Sequence, residues 1–121
     1  MASTIESSCA HEVPRAERIG RLNDELRTKG TGGQVVITRG VNDLTGTDFS
    51  ELLQTLAVFS DFDADSDPHG ERDLGIFDFR GRELMWKVDY FSDTELQFGS
   101  NDPADPLVTQ RVLTIMLAEE Y

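Results

Sequence analysis

The sequence LGIFDFRGRELMWKVDYF at residues 74–91 has the pattern of a β-hairpin. Two runs rich in aromatic and aliphatic residues, 74–79 and 84–91, flank a short polar segment whose glycine allows a tight turn. Every second residue of the later run is large and apolar or aromatic: Leu84, Trp86, Val88 and Tyr90. Alternate residues of a strand share one face, so we predict that this face packs into the core.

Three segments have helical character. Apolar residues recur at three- and four-residue spacing between Pro14 and Lys29, which predicts a first helix. A second helix begins with a capping-box pattern at Asp48 and ends near Ser60. A third, from Leu107 to Glu120, follows an Asp-Pro pair and is apolar on nearly every side. A helix this apolar must be covered on more than one face, so we expect it to lie centrally on the sheet.

Two further strands complete the predicted sheet, Gln34 to Thr38 and Glu95 to Gly99. The resulting order is α-β-α-β-β-β-α. It predicts an α+β fold in which about three helices cover a single layer of mostly antiparallel sheet with about four strands. A chain of 121 residues builds one core. We therefore expect a single domain over residues 13–121, preceded by a disordered tail over residues 1–12.

Acidic residues dominate the later part of the chain. The whole sequence has 23 acidic and 11 basic residues and a net charge of −12. Residues 1–40 contain five acidic and six basic residues, whereas residues 41–121 contain 18 acidic and five basic ones. Nucleic acid and anionic membranes bind positive surfaces, so this balance argues against both as direct partners. It favours a basic protein surface as the partner, although charge of this size also serves solubility alone.

The densest acidic run is DFDADSDPHGERD at residues 61–73. In an extended chain its first four aspartates would project to one side at intervals of about 6–7 Å. Together with later acidic residues they would form a face that resembles a phosphate backbone, suited to the basic groove of a nucleic-acid-binding host protein. The residues assigned to this acidic face are Asp61, Asp63, Asp65, Asp67, Asp93, Glu95, Asp102 and Asp105.

The same run contains a candidate metal site. Imidazole and carboxylate groups suit zinc or another transition metal, and Gly70 would let the backbone turn its ligands inward. The candidate ligands are Asp67, His69, Glu71 and Asp73. The run does not fit an EF-hand, because neither possible register supplies the required glycine and glutamate. A general-base role for His69 is a further alternative, but no partner nucleophile is apparent.

Other features exclude several classes of protein. The single cysteine, Cys9, cannot form an intramolecular disulfide or a cysteine-based zinc site, and it fits a reducing cytoplasm. The sequence has no apolar run near the roughly 20 residues of a membrane span and no signal-peptide pattern, so we expect a cytoplasmic protein. No phosphate-binding glycine motif occurs. We expect a non-enzymatic role without a cofactor.

Five strings carry a family resemblance: LND at 22–24, DPHGE at 67–71, WKVDY at 86–90, GSNDPADP at 99–106 and RVLTIMLAEEY at 111–121. They resemble a family of small uncharacterised proteins encoded on proteobacterial plasmids and integrative elements, classed as a domain of unknown function. The likeness covers residues 18–121. In that family His-Asp-Phe-Gly follows the DPHGE string, whereas this chain has Arg72 and Leu74 in place of the histidine and the phenylalanine. The resemblance implies a mobile-element setting, in which accessory proteins often counter host defences, and no particular activity.

Three hypotheses follow. The first is a non-enzymatic accessory protein of a mobile element that binds a host protein through its acidic face. The second is a metal-binding protein or metal-dependent hydrolase that uses the 67–73 residues. The third is a homodimeric, antitoxin-like regulator that uses the exposed face of the sheet.

Overall fold

The computed structural model describes residues 13–121, so the predicted tail over residues 1–12 lies outside the described part. The elements are α1 (Arg15–Lys29), β1 (Gln34–Ile37), α2 (Arg39–Thr45), α3 (Ser50–Ala57), β2 (Leu74–Phe79), β3 (Arg82–Phe91) and β4 (Gln110–Leu117), followed by a 3-10 turn (Ala118–Glu120). The four strands form one sheet in the order β1-β4-β3-β2. The α+β class, with three helices and four strands, is as predicted. No helix in the described part is long and apolar enough to cross a membrane.

The hairpin of β2 and β3 matches its prediction closely. Its turn consists of Arg80 and Gly81, which both have positive φ (52° and 77°), as a type I′ hairpin turn requires. Phe79 pairs with Arg82 beside this turn, and the antiparallel register continues to Leu74 and Lys87. The pairs β2–β3 and β3–β4 are antiparallel and β1–β4 is parallel, so the sheet is mostly antiparallel.

The predicted third helix, Leu107 to Glu120, is wrong. Residues Gln110–Leu117 form β4, which lies between β1 and β3 in the sheet. Six of the eight β4 residues are buried, on both faces of the strand. A strand buried on both faces has a nearly continuous apolar sequence, and such a run cannot be told from a buried helix by its periodicity.

One smaller prediction also needs correction, and one helix was not predicted. Residues 95–99 do not form a strand, because only Gly99 bridges Phe91 and the Asp93 carboxylate turns the chain by binding the Gln97 N–H at 3.1 Å. Residues 39–45, for which no element was predicted, form helix α2. The Thr38 hydroxyl caps this helix by accepting a hydrogen bond from the Val41 N–H.

The core lies between the helices and one face of the sheet. Each helix contributes to it, through Leu26 of α1, Val41 of α2, and Leu52 and Leu56 of α3. The facing sheet residues are Phe79, Leu84, Trp86, Val88, Leu113, Ile115 and Leu117. The predicted core face of β3 is therefore confirmed, and Trp86 is fully buried at its centre.

Candidate functional site

The beginning of β2, the end of β3 and the beginning of β4 lie at the same end of the sheet, because β3 is antiparallel to both of its neighbours. Residues 61–73 lead into β2, and residues 92–109 connect β3 to β4. Both segments are therefore attached to this end. We call the two segments together the acidic end.

The acidic end contains ten acidic side chains and a single arginine, Arg72. All eight residues predicted for the acidic face belong to it. The opposite end of the sheet has two ion pairs. Arg80 lies 2.9 Å from Glu51, and Arg82 lies 3.2 Å from Glu119. The topology thus concentrates negative charge at one end of the molecule.

Helix α1 binds the arginine of the acidic end. Arg72 Nη1 lies 3.1 Å from Glu17 Oε1, and Arg72 Nε donates to Asp24 Oδ2 at 2.9 Å. Gly20 makes room for this contact, because a Cβ at that position would lie 2.7 Å from Arg72 Nη2. The hydrogen bonds raise the pKa of Arg72 and lower the pKa of Glu17 from their usual values. Because Arg72 is paired with α1, it does little to offset the carboxylates of the loops.

A buried asparagine of α1 joins the two segments of the acidic end. Asn23 is fully buried, and its Nδ2 donates to the Glu71 backbone oxygen at 3.0 Å and to Tyr90 Oη at 2.8 Å. Its Oδ1 accepts a hydrogen bond from Arg111 Nε at 3.0 Å. Arg111 Nη2 in turn donates to the Pro103 carbonyl. Since Glu71 and Pro103 belong to different segments, one polar network holds both of them against α1 and the sheet.

The electrostatics of this network suit a positioning role. The Arg111 side chain is stacked over the Tyr90 ring, with 5.2 Å between the guanidinium carbon and the ring centroid. Burial lowers the pKa of Arg111, but arginine stays protonated in proteins. Burial also raises the pKa of Tyr90, so its hydroxyl stays protonated and donates to Glu71 Oε1 at 3.2 Å. Neither side chain gains or loses a proton near neutral pH. The network therefore holds the two segments in place and has no role in proton transfer.

The predicted extended row of aspartates is wrong. The Asp63 carboxylate accepts hydrogen bonds from the backbone N–H groups of Asp65 (3.0 Å) and Ser66 (2.8 Å). The Asp63 carbonyl also accepts from the Asp67 N–H at 2.7 Å, which closes a turn. Aspartate competes in this way for backbone groups that would otherwise pair in a strand. The bonds from Ser66 lower the pKa of Asp63, which keeps it ionised.

Four more of the predicted acidic residues bind backbone N–H groups in turns. They are Asp67, Asp93, Asp102 and Asp105, which accept from Glu71, Gln97, Ala104 and Leu107 at 3.0, 3.1, 3.3 and 2.9 Å. These backbone donors are neutral and leave the carboxylate charge in place, although Asp102 also lies 3.3 Å from Arg15 Nη2 of α1. The remaining three, Asp61, Asp65 and Glu95, are exposed, and their side chains bind no other residue of the described part.

The four candidate metal ligands have different surroundings. Asp67 binds backbone N–H groups, the Glu71 carboxylate accepts from Tyr90, and His69 is exposed. Asp73 is half-buried, and this burial, together with the Glu71 charge, raises its pKa. Within residues 13–121 no three histidine, cysteine or acidic side chains are arranged so that they could hold a metal ion. The geometry gives the metal hypothesis no support.

The described surface has two notable concavities. One is a groove of about 230 Å³ between residues 59–66 and β2, which we call the β2 groove. It is lined by Phe59, Asp61, Asp63, Asp65, Ser66, Leu74, Gly75 and Ile76. The other is an apolar cavity of about 600 Å³ between α1, β1 and α3, lined in part by Leu26, Val35 and Leu53. Only the β2 groove adjoins the acidic end.

Comparison with known proteins places this architecture in a family. The family described as "Protein of unknown function (DUF3768)" matches residues 37–120. The chain belongs to the DUF3768 family. The matched region of this DUF3768 protein contains both segments of the acidic end. No curated protein and no solved structure shows significant similarity to the chain.

The network residues of the DUF3768 chain were not identified as site residues from the sequence, Glu71 apart. The sequence nevertheless contained a signal. Each of the five strings that carry the family resemblance contributes one network residue: Asn23, Glu71, Tyr90, Pro103 and Arg111. The strings are far apart in the chain, and the fold brings them together around Asn23.

Proposed function

We propose that this protein is a small, non-enzymatic accessory protein that binds a basic surface of a partner protein through its acidic end. The observation that supports this proposal is the concentration of ten carboxylates beside a single arginine that is bound to α1. A fixed cluster of like charges attracts a cationic surface over a distance of about a Debye length and speeds association. The Asn23 network keeps the two segments in place, which lowers the entropic cost of binding.

The partner in this proposal is a nucleic-acid-binding protein of a host cell. Carboxylates at the acidic end would stand in for phosphates, and binding would release the counterions of both surfaces. The resemblance to proteins encoded on plasmids and integrative elements supports this choice, since such elements benefit from blocking host nucleases. In this setting the protein would act as a nucleic-acid mimic in the cytoplasm.

A pair of variants with equal net charge tests the proposal. The acidic-end variant is D61N/D65N/E95Q, which changes three exposed carboxylates that bind no other described side chain or backbone group. The control variant, E25Q/D43N/E83Q, removes the same charge from exposed positions elsewhere. Each is immobilised as bait for a proteobacterial lysate at about 0.1 M and about 1 M NaCl.

We expect the control and the wild-type protein to retain the same basic protein at low salt, and the acidic-end variant to lose it. Binding should also be lost at high salt, and a DNA duplex should displace the retained protein. Equal retention by the two variants would show that the position of the charge is irrelevant and would refute the proposal. Retention that DNA does not displace would refute the nucleic-acid mimicry alone.

A further inference from the structure

Strand β2 is an edge strand with unused backbone groups. Its partner is β3 alone, and the two-residue turn makes Phe79 and Arg82 a hydrogen-bonded pair. In an antiparallel pair of strands, residue pairs that are hydrogen-bonded alternate with pairs that are not. The Val88 N–H donates to the Asp73 carbonyl at 2.8 Å, as this alternation requires. The N–H and C=O groups of Leu74, Ile76 and Asp78 therefore point away from β3. Within the described residues no other backbone or side-chain group binds them.

The β2 groove lies along the first half of this edge. Three aspartates, Asp61, Asp63 and Asp65, line its opposite wall, and Leu74, Gly75 and Ile76 of β2 line the other side. Ile76, beside the groove, is 53 % exposed, which is high for a large apolar residue in a strand. The groove thus combines apolar contact, free backbone groups and negative charge.

A buried donor lies beneath Gly75, one of the residues that line the groove. Trp86 is fully buried, and its indole Nε1 has no hydrogen-bond partner in the described part of the chain. The atom lies against Gly75, because a Cβ on Gly75 would collide with it and would approach Phe59 Cζ to 2.6 Å. Buried indole N–H groups usually have an acceptor.

We infer that an extended, arginine- or lysine-rich segment of the partner adds to the edge of β2 as a fifth strand. This inference rests on the proposed function and names the part of the partner that binds. Strand addition supplies main-chain hydrogen bonds, and pockets beside the edge select alternate side chains. The three aspartates select basic side chains at those positions. A second copy of this chain is a poorer occupant, since it carries the same net charge of −12.

The probe for this inference is a short synthetic peptide in which arginine alternates with threonine. Its binding to the full chain is measured by fluorescence anisotropy at about 0.1 M NaCl. Two further peptides carry N-methyl groups on alternate residues, one on the arginines and the other on the threonines. An added strand uses the N–H groups of alternate residues only. We therefore expect one methylated peptide to bind roughly tenfold or more weakly than the other.

Variants at one position of β2 test the protein side of the same contact. Ile76→Pro removes an N–H that points away from β3, and Ile76→Thr removes the same apolar side chain but keeps the N–H. We expect the peptide to bind roughly tenfold or more weakly to the proline variant than to the threonine variant. Thermal unfolding shows whether both variants fold. If the proline variant does not, the pair of methylated peptides still decides.

The outcomes separate this inference from the proposed function. If both methylated peptides bind alike, while D61N/D65N/E95Q binds more weakly than E25Q/D43N/E83Q, strand addition is wrong and the electrostatic proposal stands. If the methylated peptides differ but the two charge variants bind alike, a basic occupant is wrong. Absence of peptide binding refutes the inference, whereas lysate capture tests the proposed function separately. A homodimer in light scattering that Ile76→Pro dissociates would make a second copy the occupant.

Discussion

At the scale of single residues, Asn23 is the position on which the acidic end depends most. Its side-chain amide donates hydrogen bonds to the Glu71 carbonyl and to Tyr90 Oη, and accepts one from Arg111 Nε. All three bonds are buried or half-buried. No apolar side chain of similar size can replace these bonds. Arg111 is 2 % exposed and pairs with no carboxylate of the described chain, so Asn23 supplies one of its few acceptors.

We predict that Asn23→Ala lowers the free energy of unfolding by about 2–4 kcal/mol, because it leaves a buried arginine N–H without an acceptor. Urea denaturation followed by fluorescence of Trp86 measures this change. The matched control is Asn42→Ala, at an exposed position of α2, which should change the stability by less than about 0.5 kcal/mol. Equal effects of the two substitutions would show that the network contributes nothing to stability.

Ionisation of Asp73 should make the folded protein less stable as the pH rises. Burial and the Glu71 charge raise the pKa of Asp73 in the folded state, so the folded chain binds this proton more readily than the unfolded chain. The destabilising effect of the ionised group is present above the folded pKa, and it disappears as the pH falls to the unfolded value of about 3.9.

We therefore predict that Asp73→Asn raises the melting temperature at pH 7, and that this gain disappears near pH 4. Thermal unfolding of both proteins between pH 4 and pH 8 measures the difference. Asp93→Asn serves as a control, because it removes the same charge from the other segment of the acidic end, where the carboxylate binds two backbone N–H groups. A lower melting temperature for Asp73→Asn at pH 7 would contradict the prediction.

At the scale of elements, the local patterns were sufficient for α1 and for the hairpin. The α1 sequence has a three- and four-residue apolar spacing, and a cationic last turn before Gly30, which has left-handed φ. The hairpin has alternating residues around a turn that contains glycine. Both patterns arise within a short stretch of chain, so these two elements can be predicted without knowledge of the rest of the fold.

Local patterns were insufficient for β4. Its residues Val112, Leu113, Ile115 and Met116 are buried although they point to opposite faces. Burial on both faces results from its position between β1 and β3, which begin 76 and 28 residues earlier in the chain. The contacts that make this segment a strand are therefore non-local, and its apolar run is compatible with either structure.

The close contact between Gly75 of β2 and Trp86 of β3 yields a prediction about stability. We expect Gly75→Ala to destabilise the fold by about 1–3 kcal/mol, because its Cβ would overlap Trp86 Nε1 and Phe59. Gly99→Ala is the control, since a Cβ there would lie 3.9 Å from the Tyr90 carbonyl, an ordinary contact. Chemical denaturation of the two variants measures both effects. A tolerated Gly75→Ala would mean that Phe59 moves aside freely.

At the scale of the whole molecule, the charge distribution opposes folding. Bringing ten carboxylates to one end of the sheet costs electrostatic free energy, because like charges repel within about a Debye length. At the opposite end, Arg80 and Arg82 offset two of the carboxylates, those of Glu51 and Glu119. The proposed function of the acidic end depends on this concentration of charge.

We predict that D61N/D65N/E95Q has a higher melting temperature than E25Q/D43N/E83Q at low salt, although both remove the same charge. The difference should shrink at about 1 M NaCl, where screening shortens the Debye length to about 3 Å. Differential scanning calorimetry at both salt concentrations checks this. Equal melting temperatures at low salt would show that the acidic end is not a concentrated charge cluster.

The sequence alone was enough to determine the α+β class, the hairpin and the first helix, because these depend on composition and on patterns within a few turns or one strand pair. Only the tertiary structure decided that Gln110–Leu117 is a central strand, that Asp63 closes a turn, and that Asn23 meets Arg111, 88 residues away. These features depend on which distant segments share a sheet and a buried space. Side-chain periodicity does not indicate such non-local contacts. It indicates which residues of an element are buried, but not which distant segment buries them.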